Sequence, residues 1–195
     1  MLLCTNLSAP LFRRSQFPDL IGLSQPDIDA VKTLNLEMAH RMSAEKPRTP
    51  KLITCPLLIR ERSALAAALE TSKLPIEDIE APGRLFFRFE TVEGLPVGFG
   101  GLELHASEAL MRSVVVLPPV RRQGIGAAIV AALELEARLH GCRNLWLITT
   151  SAAEFFDLLG YVRCDRAAVP SAIRATAEFA TLCPANAEVL VKCFE

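Results

Sequence analysis

The stretch from Val114 to Gly141 joins a β-branched block to a long apolar helix pattern through a short turn. It reads VVVLPPVRRQGIGAAIVAALELEARLHG, with Gly124 and Gly126 one residue apart at the start of the helix. Unpaired backbone N–H groups and the positive end of the helix dipole attract anions at such a point. Glycine has no Cβ, so a ligand can approach the backbone closely. The pattern predicts a cradle for a pyrophosphate.

The side chains beside the glycines add donors for phosphate oxygens, from Arg121, Arg122 and Gln123. Two glycines also suit a plain tight turn between a strand and a helix, and the spacing alone leaves that alternative open. No Lys-Ser/Thr pair follows Gly126, which excludes a Walker phosphate loop, and Ile129 stands where a GxGxxG fingerprint needs a small residue. The helix is expected to bury a face of apolar residues, namely Ile125, Ala128, Ile129, Ala132, Leu135 and Leu139.

Composition bounds the remaining possibilities. Of 195 residues, 51% are hydrophobic and 22% charged, with a net charge of −1, which is typical of an ordinary globular protein. Near-neutral charge argues against binding to nucleic acid or to a membrane surface. The first arginines follow the apolar N-terminal residues, the reverse of a secretory signal. We expect reduced thiols in a cytoplasmic protein and no metal site, since no CxxC pair occurs among Cys4, Cys55, Cys142, Cys164, Cys183 and Cys193.

Two regions differ in texture. Residues 1–50 are polar and rich in proline, with one amphipathic helix predicted from Asp27 to Met42 and a linker from Ser43 to Lys51. This extension can be a dimerisation arm, a regulatory piece or a consequence of start-site choice. Residues 52–195 alternate strand and helix patterns, with strands dominating the first half, and they are the predicted main domain. The fold class expected is mixed α/β with a largely antiparallel first half.

Two motifs give a resemblance to a known family. RRQGIG, Arg121 to Gly126, resembles the Q/R-x-x-G-x-G/A motif of the GNAT superfamily of acetyl-CoA-dependent N-acetyltransferases. AAEFFDLLGY, Ala152 to Tyr161, is similar to a later motif of that superfamily. The resemblance covers roughly Leu52 to Glu195 and implies a central mixed, mostly antiparallel sheet flanked by helices, with acetyl-CoA as co-substrate.

A closer resemblance lies within the superfamily. KLPIEDI, GFGGLELH and AVPSAIRATAEFATLCPANA resemble the N-acetyltransferases of bacterial arsenic-resistance operons, and Ile173 to Ala187 is specific to that group. LITTSAAEFFDLLGY is also similar to the acetyltransferase domain of N-acetylglutamate synthases. These resemblances imply an amino-acid-like amine as acceptor, among which an arsenic- or phosphinate-containing glutamate analogue is plausible.

The resemblance also implies how the co-substrate is held. The backbone of Val114, Val115 and Val116 would pair with the pantetheine arm, and its N–H groups would stabilise the oxyanion. This strand would splay from Leu145–Thr149 and leave a gap for the thioester. The pyrophosphate would lie against the amides of Arg121, Arg122, Gln123, Gly124, Ile125 and Gly126.

A base near the acceptor amine is needed, because an ammonium must lose a proton before it attacks. The candidate is Glu103, which on strict alternation shares a face with Val97, Phe99 and Gly101. A buried charge requires a partner or a function. Two alternatives stay open: Glu103 lies at a strand end in water, or the glycines bulge the strand and reverse its facing. His105, on the same nominal face, is the second candidate.

One position departs from the family pattern. Many members have a tyrosine at the place of Phe156 that protonates the departing thiolate. Tyr161 occupies the next aromatic position, which normally belongs to the core. The acid is therefore unassigned, and water, Cys183 or a nearby hydroxyl remain candidates.

Acceptor recognition has three candidates. Arg174 can clamp a substrate carboxylate through two parallel hydrogen bonds, and Thr149 and Thr150 can reach the ligand. Ser151 is expected to cap the following helix. Glu178 is equally compatible with a solvated helix charge and with an ammonium partner.

Together these features predict a cytoplasmic, homodimeric N-acetyltransferase that acts on a small amine by direct attack, without nucleic-acid or membrane partners. A glutamate N-acetyltransferase of arginine biosynthesis is an alternative within the class. A non-catalytic acyl-CoA sensor is an alternative outside it, supported by Phe156. Acetylation of protein substrates is a third possibility, disfavoured if Ile173–Ala187 covers the acceptor cleft.

Overall fold

A seven-stranded sheet organises residues 50–194, the part of the chain that a computed structural model describes. The strands follow the order β1-β2-β3-β4-β5-β7-β6 across the sheet. Their bounds are β1 Ile53–Pro56, β2 Arg84–Glu90, β3 Pro96–His105, β4 Glu108–Val116, β5 Asn144–Thr149, β6 Val162–Cys164 and β7 Glu188–Cys193.

Short helices and one long helix connect these strands. Their bounds are α1 Arg62–Thr71, α2 Ile125–Leu139, α3 Ala153–Asp157 and α4 Ser171–Arg174, with a π-helical turn at Glu178–Leu182. Three 3₁₀ turns lie at Ile59–Glu61, Pro118–Val120 and Arg166–Ala168. The helical pattern of residues 169–179 is thus divided between α4 and the π-helical turn. None of the helices in residues 50–194 has the length and apolarity needed to cross a membrane.

The sheet is antiparallel throughout except between β4 and β5, which are parallel. The mixed α/β class with a mostly antiparallel sheet is confirmed. The final strand β7 lies between β5 and β6, so the edges of the sheet are β1 and β6. Because β5 and β6 pair with its two edges, β7 presents no free edge to a partner.

The two parallel strands diverge soon after they meet. β4 and β5 pair only over three residues each, Glu108–Leu110 against Asn144–Trp146. Beyond them, Val114–Val116 has no partner in β5, and a wedge opens between these strands. The splay expected for Val114–Val116 is confirmed.

A bulge re-aims β4 just before the wedge. Phe99 pairs with Val115 and Gly101 with Arg112, so β4 carries one extra residue between the two pairs. Ser113 has φ 56°, an uncommon value for a non-glycine residue. A bulge of this kind locally twists a strand and redirects its side chains.

Helix α2 packs one face against the sheet. Its buried stripe follows i, i+4 spacing and consists of Ile125, Ile129, Leu133 and Ala137. The expected inclusion of Leu135 and Leu139 is wrong, since they are 54% and 72% exposed. The close approach depends on glycine in β3, because a Cβ at Gly100 would stand 2.7 Å from Cδ1 of Leu133.

The residues described belong to one compact unit, Thr49–Glu195. The helix predicted at Asp27–Met42 and nearly all of the linker Ser43–Lys51 lie outside the described residues. The boundary near residue 50 therefore stays a prediction.

Candidate active site

A cavity of about 730 Å³ lies in the wedge between β4 and β5. β4 lines it from Arg112 to Val116, a stretch of roughly 13 Å at about 3.3 Å per residue. The glycine turn follows the Val116 end, and the π-helical turn contacts Arg112 at the other. We call these two parts the phosphate end, formed by Arg121, Arg122, Gly124 and Gly126, and the acid end, formed by Arg112, Glu178 and Cys183.

Backbone geometry dominates the phosphate end. Gly124 precedes α2 with φ 77°, a left-handed conformation that suits glycine. The first N–H groups of α2 have no carbonyl partner within the helix. Gly126 lies in the first turn, where a Cβ would stand 3.4 Å from Cζ of Phe155 and 3.7 Å from Cγ2 of Val116. A larger residue at Gly126 would therefore extend among side chains that line the cavity.

The three polar side chains of the turn differ in their availability. Nε of Arg121 donates to the carbonyl of Val116 at 2.9 Å, and its Nη2 donates to Oγ of Ser72 at 3.3 Å. Gln123 donates to the carbonyl of Pro119 at 3.4 Å and does not line the cavity. Arg122 is exposed and lines it.

Two of the expected co-substrate contacts offer only their backbone. The side chains of Val115 and Ile125 are buried in the core, 5% and 6% exposed. Val114 and Val116 line the cavity directly.

The acid end is built around Arg112, whose side chain is fully buried. Its guanidinium donates to both carboxylate oxygens of Asp78, at 2.6 and 2.5 Å. Oε2 of Glu178 lies 3.0 Å from Nη2 of Arg112, and Oε2 of Glu103 lies 3.6 Å from Nη1. Burial opposes the ionisation of Asp78, but its hydrogen bond to Arg112 and the charge of Arg112 outweigh burial and lower its pKa. Asp78 is thus the fixed partner of Arg112.

Glu178 differs from Asp78 in its bonding. It is 9% exposed, and Oε2 accepts no hydrogen bond with good geometry from any described residue, despite its closeness to Arg112. Burial raises the pKa of Glu178; the charge of Arg112 opposes this effect and that of Asp78 adds to it. Of the two interpretations left open by the sequence, the solvated helix charge is wrong, because Glu178 is buried and lines the cavity.

Glu103 is buried as well but does not line the cavity. Its Oε2 lies 3.3 Å from Nε of Arg84, and its Oε1 lies 3.4 Å from Nε2 of His105. The alternative of a strand end in water is therefore wrong. Glu103 belongs to an ion-pair cluster behind Arg112, and His105 lies beside it and likewise outside the cavity lining.

The candidate acceptor residues are divided by the structure. Thr149 and Thr150 line the cavity, whereas Arg174 is exposed and does not. The cavity arginine at this end is Arg112, which no local pattern singles out. Arg174 ends the four-residue helix α4, and its neighbour Ile173 is the residue that points into the core.

Capping of α3 also differs from expectation. Oγ1 of Thr149 accepts hydrogen bonds from the N–H groups of Ser151 and Ala152, at 3.3 and 3.0 Å. Ser151 makes no side-chain cap. The hydroxyl of Thr149 thus holds the turn that leads from β5 into α3.

The aromatic and thiol side chains at and near the cavity determine which groups could donate a proton there. Phe156 is buried and lines the cavity, and its ring packs edge-on against Tyr161 at 5.5 Å between centroids. Tyr161 does not line the cavity, and burial raises the pKa of its phenol above the ordinary value. Burial, followed by the charge of Glu178, raises the pKa of the Cys183 thiol to about 11. In residues 50–194, no three His, Cys, Asp or Glu side chains are grouped as metal ligands would be.

Solved structures of low sequence identity share this fold. N-acetylglutamate synthase from Neisseria gonorrhoeae, complexed with coenzyme A and N-acetyl-glutamate, is 18% identical with a TM-score of 0.61, over 74% of this chain and 35% of that one. Rv2747 from Mycobacterium tuberculosis, in complex with CoA and NLQ, is 21% identical with a TM-score of 0.60, over 73% and 99% of the two chains. An aminoglycoside 6'-N-acetyltransferase complexed with coenzyme A is 16% identical with a TM-score of 0.53, over 72% and 96%. This chain therefore spans only about a third of the synthase chain.

A family model matches the central part of the chain by sequence. No curated protein matches it by sequence. The family model described as "Acetyltransferase (GNAT) domain" matches residues 82–163, which run from just before β2 through the glycine turn and α3 into β6. The match covers less than half of the chain, and over those residues the chain is similar to GNAT acetyltransferases.

Proposed function

We propose that this protein is an acetyl-CoA-dependent N-acetyltransferase that acts on the amine of a small amino-acid-like acceptor. One observation carries the proposal: a single cavity connects a glycine turn suited to a pyrophosphate with a buried carboxylate suited to an amine. β4 forms the wall between them, so that a thioester lying along it would reach the acid end.

The co-substrate is assigned to the phosphate end and the free part of β4. The amides of residues 121–126 would hold the pyrophosphate, and Val114–Val116 would pair with the pantetheine arm. β4 has no β5 partner beyond Leu110, which supports this assignment. Backbone N–H groups of the same strand would stabilise the negative charge that develops on the thioester oxygen. The similar structures that were solved with coenzyme A support the same co-substrate.

The acceptor is assigned to the acid end. Three carboxylates, of Asp78, Glu103 and Glu178, face only two guanidinium groups, of Arg84 and Arg112. The surplus negative charge favours a cationic ligand such as an ammonium. The similarity to a synthase bound to N-acetyl-glutamate supports an amino acid or a glutamate analogue, including one that contains arsenic or a phosphinate.

Direct attack of the amine is favoured over an acetyl-enzyme. Cys183 is the cysteine that lines the cavity, and a thiol with a pKa near 11 is almost entirely protonated at neutral pH. A thiolate is the nucleophilic form. Phe156 supplies no proton to the departing thiolate, so water in the cavity would serve.

We further propose a cytoplasmic, homodimeric protein. The cysteines of residues 50–194 are free, as suits a reducing compartment. Sedimentation of the purified protein would measure its oligomeric state, and a monomer would contradict the dimer.

The test is release of the CoA thiol from acetyl-CoA in the presence of a panel of amines. The panel holds glutamate, phosphinate- and arsenic-containing glutamate analogues, an aminoglycoside, a polyamine and a lysine peptide. Turnover confined to one amino-acid-like acceptor would support the proposal, and preference for glutamate itself would favour arginine biosynthesis. Turnover on the peptide alone would contradict the acceptor class.

Phe156 favours a second candidate, a sensor that binds acyl-CoA without turnover. Calorimetric titration with acetyl-CoA distinguishes the two. Tight binding without thiol release on any acceptor would favour the sensor.

A further inference from the structure

We propose that Glu178 accepts the proton from the acceptor's ammonium group, and that Glu103 only positions Arg112. This inference rests on the proposed function and assigns a residue to its base. It replaces the role that the sequence suggested for Glu103.

Position is the first argument. Glu178 begins the π-helical turn Glu178–Leu182 and lines the cavity beside Cys183 and Arg112. π-helical turns often occur at functional sites, because the extra residue displaces a side chain from regular packing. Glu103 lies on β3, with its Oε2 3.6 Å from Nη1 of Arg112, and it does not line the cavity. A base must come within hydrogen-bond reach of the proton that it removes.

Unsatisfied bonding is the second argument. Oε2 of Glu178 is buried and accepts no hydrogen bond with good geometry from a described residue. Leaving a buried acceptor without a hydrogen bond is costly unless a ligand completes it. Oε2 of Glu103 also lacks such a hydrogen bond. The carboxylate of Glu103, however, lies within 3.3 to 3.6 Å of Arg84, His105 and Arg112, so that its charge is surrounded.

The charged surroundings of Glu178 come from several elements. Arg112 faces it from β4, Glu103 from β3 and Asp78 from the loop before β2, while Cys183 lies 3.8 Å away, from Sγ to Oε1. Burial and the two other carboxylates raise the pKa of Glu178, while Arg112 and the Cys183 thiol oppose the rise. A raised carboxyl pKa brings a general base closer to the operating pH.

The proton transfers balance as follows. An ammonium transfers one proton to the Glu178 carboxylate, and the freed lone pair attacks the carbonyl carbon of the thioester. The C–N bond forms, the C–S bond breaks, and its electron pair leaves on sulfur. The nitrogen loses a second proton as the amide forms, and the thiolate takes up a proton through water. The products are the amide, the CoA thiol and one proton, which Glu178 returns to solvent.

Glu178→Gln and Glu103→Gln form a matched pair. Both replace a glutamate that is 9% exposed and faces Arg112, and both keep nearly the same shape. Thiol release is measured against pH for the wild type and both variants, with the best acceptor from the panel. Affinity for acetyl-CoA and thermal stability are measured alongside.

We expect Glu178→Gln to lower kcat about 10² to 10⁴-fold, with acetyl-CoA affinity kept. The loss should shrink as pH rises, because free amine then forms without a base. Glu103→Gln should change kcat less than about tenfold at every pH.

Three outcomes would overturn the inference. A Glu178→Gln variant that keeps its kcat while the wild type turns over would leave the proposed function intact and remove this role. A larger, pH-dependent loss in Glu103→Gln would return the base role to Glu103. A wild type without turnover on any acceptor would overturn the proposed function, and this inference with it.

Discussion

The two ends of the cavity are built in opposite ways. The phosphate end lies within one continuous segment, residues 121–126, which is made largely of backbone and is exposed except at Ile125 and Gly126. The acid end belongs to an ion-pair cluster whose charged side chains come from the loop before β2, from β3, from β4 and from the π-helical turn. These side chains are largely removed from solvent. One end can be altered with little effect on the fold, while the other is part of the core.

This contrast separates binding from stability. Changes at the phosphate end should lower affinity for acetyl-CoA and leave the free energy of unfolding almost unchanged. Changes at the acid end should affect unfolding first, except where the altered group has no fixed partner. Four substitutions test this division.

The largest effect is expected for Arg112→Met. Removing the guanidinium takes away the ion-pair partner of Glu178 and one of the two guanidinium partners of Asp78 and of Glu103. Breaking a buried ion pair from one side costs about 3–5 kcal/mol of unfolding free energy. Urea denaturation measures it, and Arg112→Lys, which keeps the charge but not the forked geometry, should lose less. A loss below about 1 kcal/mol in the methionine variant, on the scale of exposed ion pairs, would show that the cluster is not structural.

The next effect is expected for Gly126→Leu. Its side chain extends from the first turn of α2 toward Phe155 and Val116 and fills space at the phosphate end. Affinity for acetyl-CoA should fall about tenfold or more, equivalent to about 1.4 kcal/mol. Stability should not fall, because leucine is a better helix former than glycine.

Calorimetric titration checks the affinity, and Gly126→Ala is the control. A Cβ at the 3.4 Å contact is tighter than usual, but the neighbour is a phenylalanine ring at the cavity wall. The alanine variant should therefore retain most of the affinity. Unchanged binding in the leucine variant would place the co-substrate elsewhere.

A pH-dependent effect is expected for Glu178→Gln. A carboxyl with a raised pKa in the folded state contributes stability at low pH, which is lost as pH rises from its ordinary value of 4.5 through the raised value. Glutamine does not titrate, so the unfolding free energy of the variant, relative to that of the wild type, should increase as pH rises over that range. Urea denaturation at several pH values measures the difference. A constant difference would mean that Glu178 has the same pKa folded and unfolded.

The smallest effect is expected for Arg121→Ala. The variant loses the hydrogen bonds to Val116 and Ser72, which are exposed, so stability should change by less than about 1 kcal/mol. If the guanidinium also contacts a phosphate, affinity for acetyl-CoA should fall a few-fold and lose part of its salt dependence. An equal loss in stability and affinity would instead make Arg121 a structural residue that holds the turn.

The phosphate end was predictable from sequence because its information is local. Gly124 and Gly126 lie within one turn, and their conformational requirement follows from the strand and helix on either side. The strand and helix patterns likewise predicted the mixed sheet. The buried face of α2 was predicted only in part. The apolar pattern in the sequence includes Leu135 and Leu139, but these side chains lie on the solvent side of the helix.

The acid end was not predictable in the same way. Arg112 is buried on β4 beside Asp78 and Glu178, which are far from it in the sequence. Glu178 lies beside Arg112 because the segment after α4 folds over the sheet. In the sequence, this segment was notable only for its resemblance to one group of acetyltransferases. Strand alternation alone favoured Glu103, because alternation indicates which residues share a face of the sheet. It does not indicate which charged groups lie between a side chain and a cavity.

The sequence by itself determined the turn at Gly124 and Gly126 and most of the order of strands and helices, because each depends on residues close together in the chain. Only the tertiary structure decided which carboxylate faces the cavity. Sheet pairing and the segment after α4 bring together residues 78, 103, 112 and 178. Their burial and their ion pairs exist only once the chain is folded.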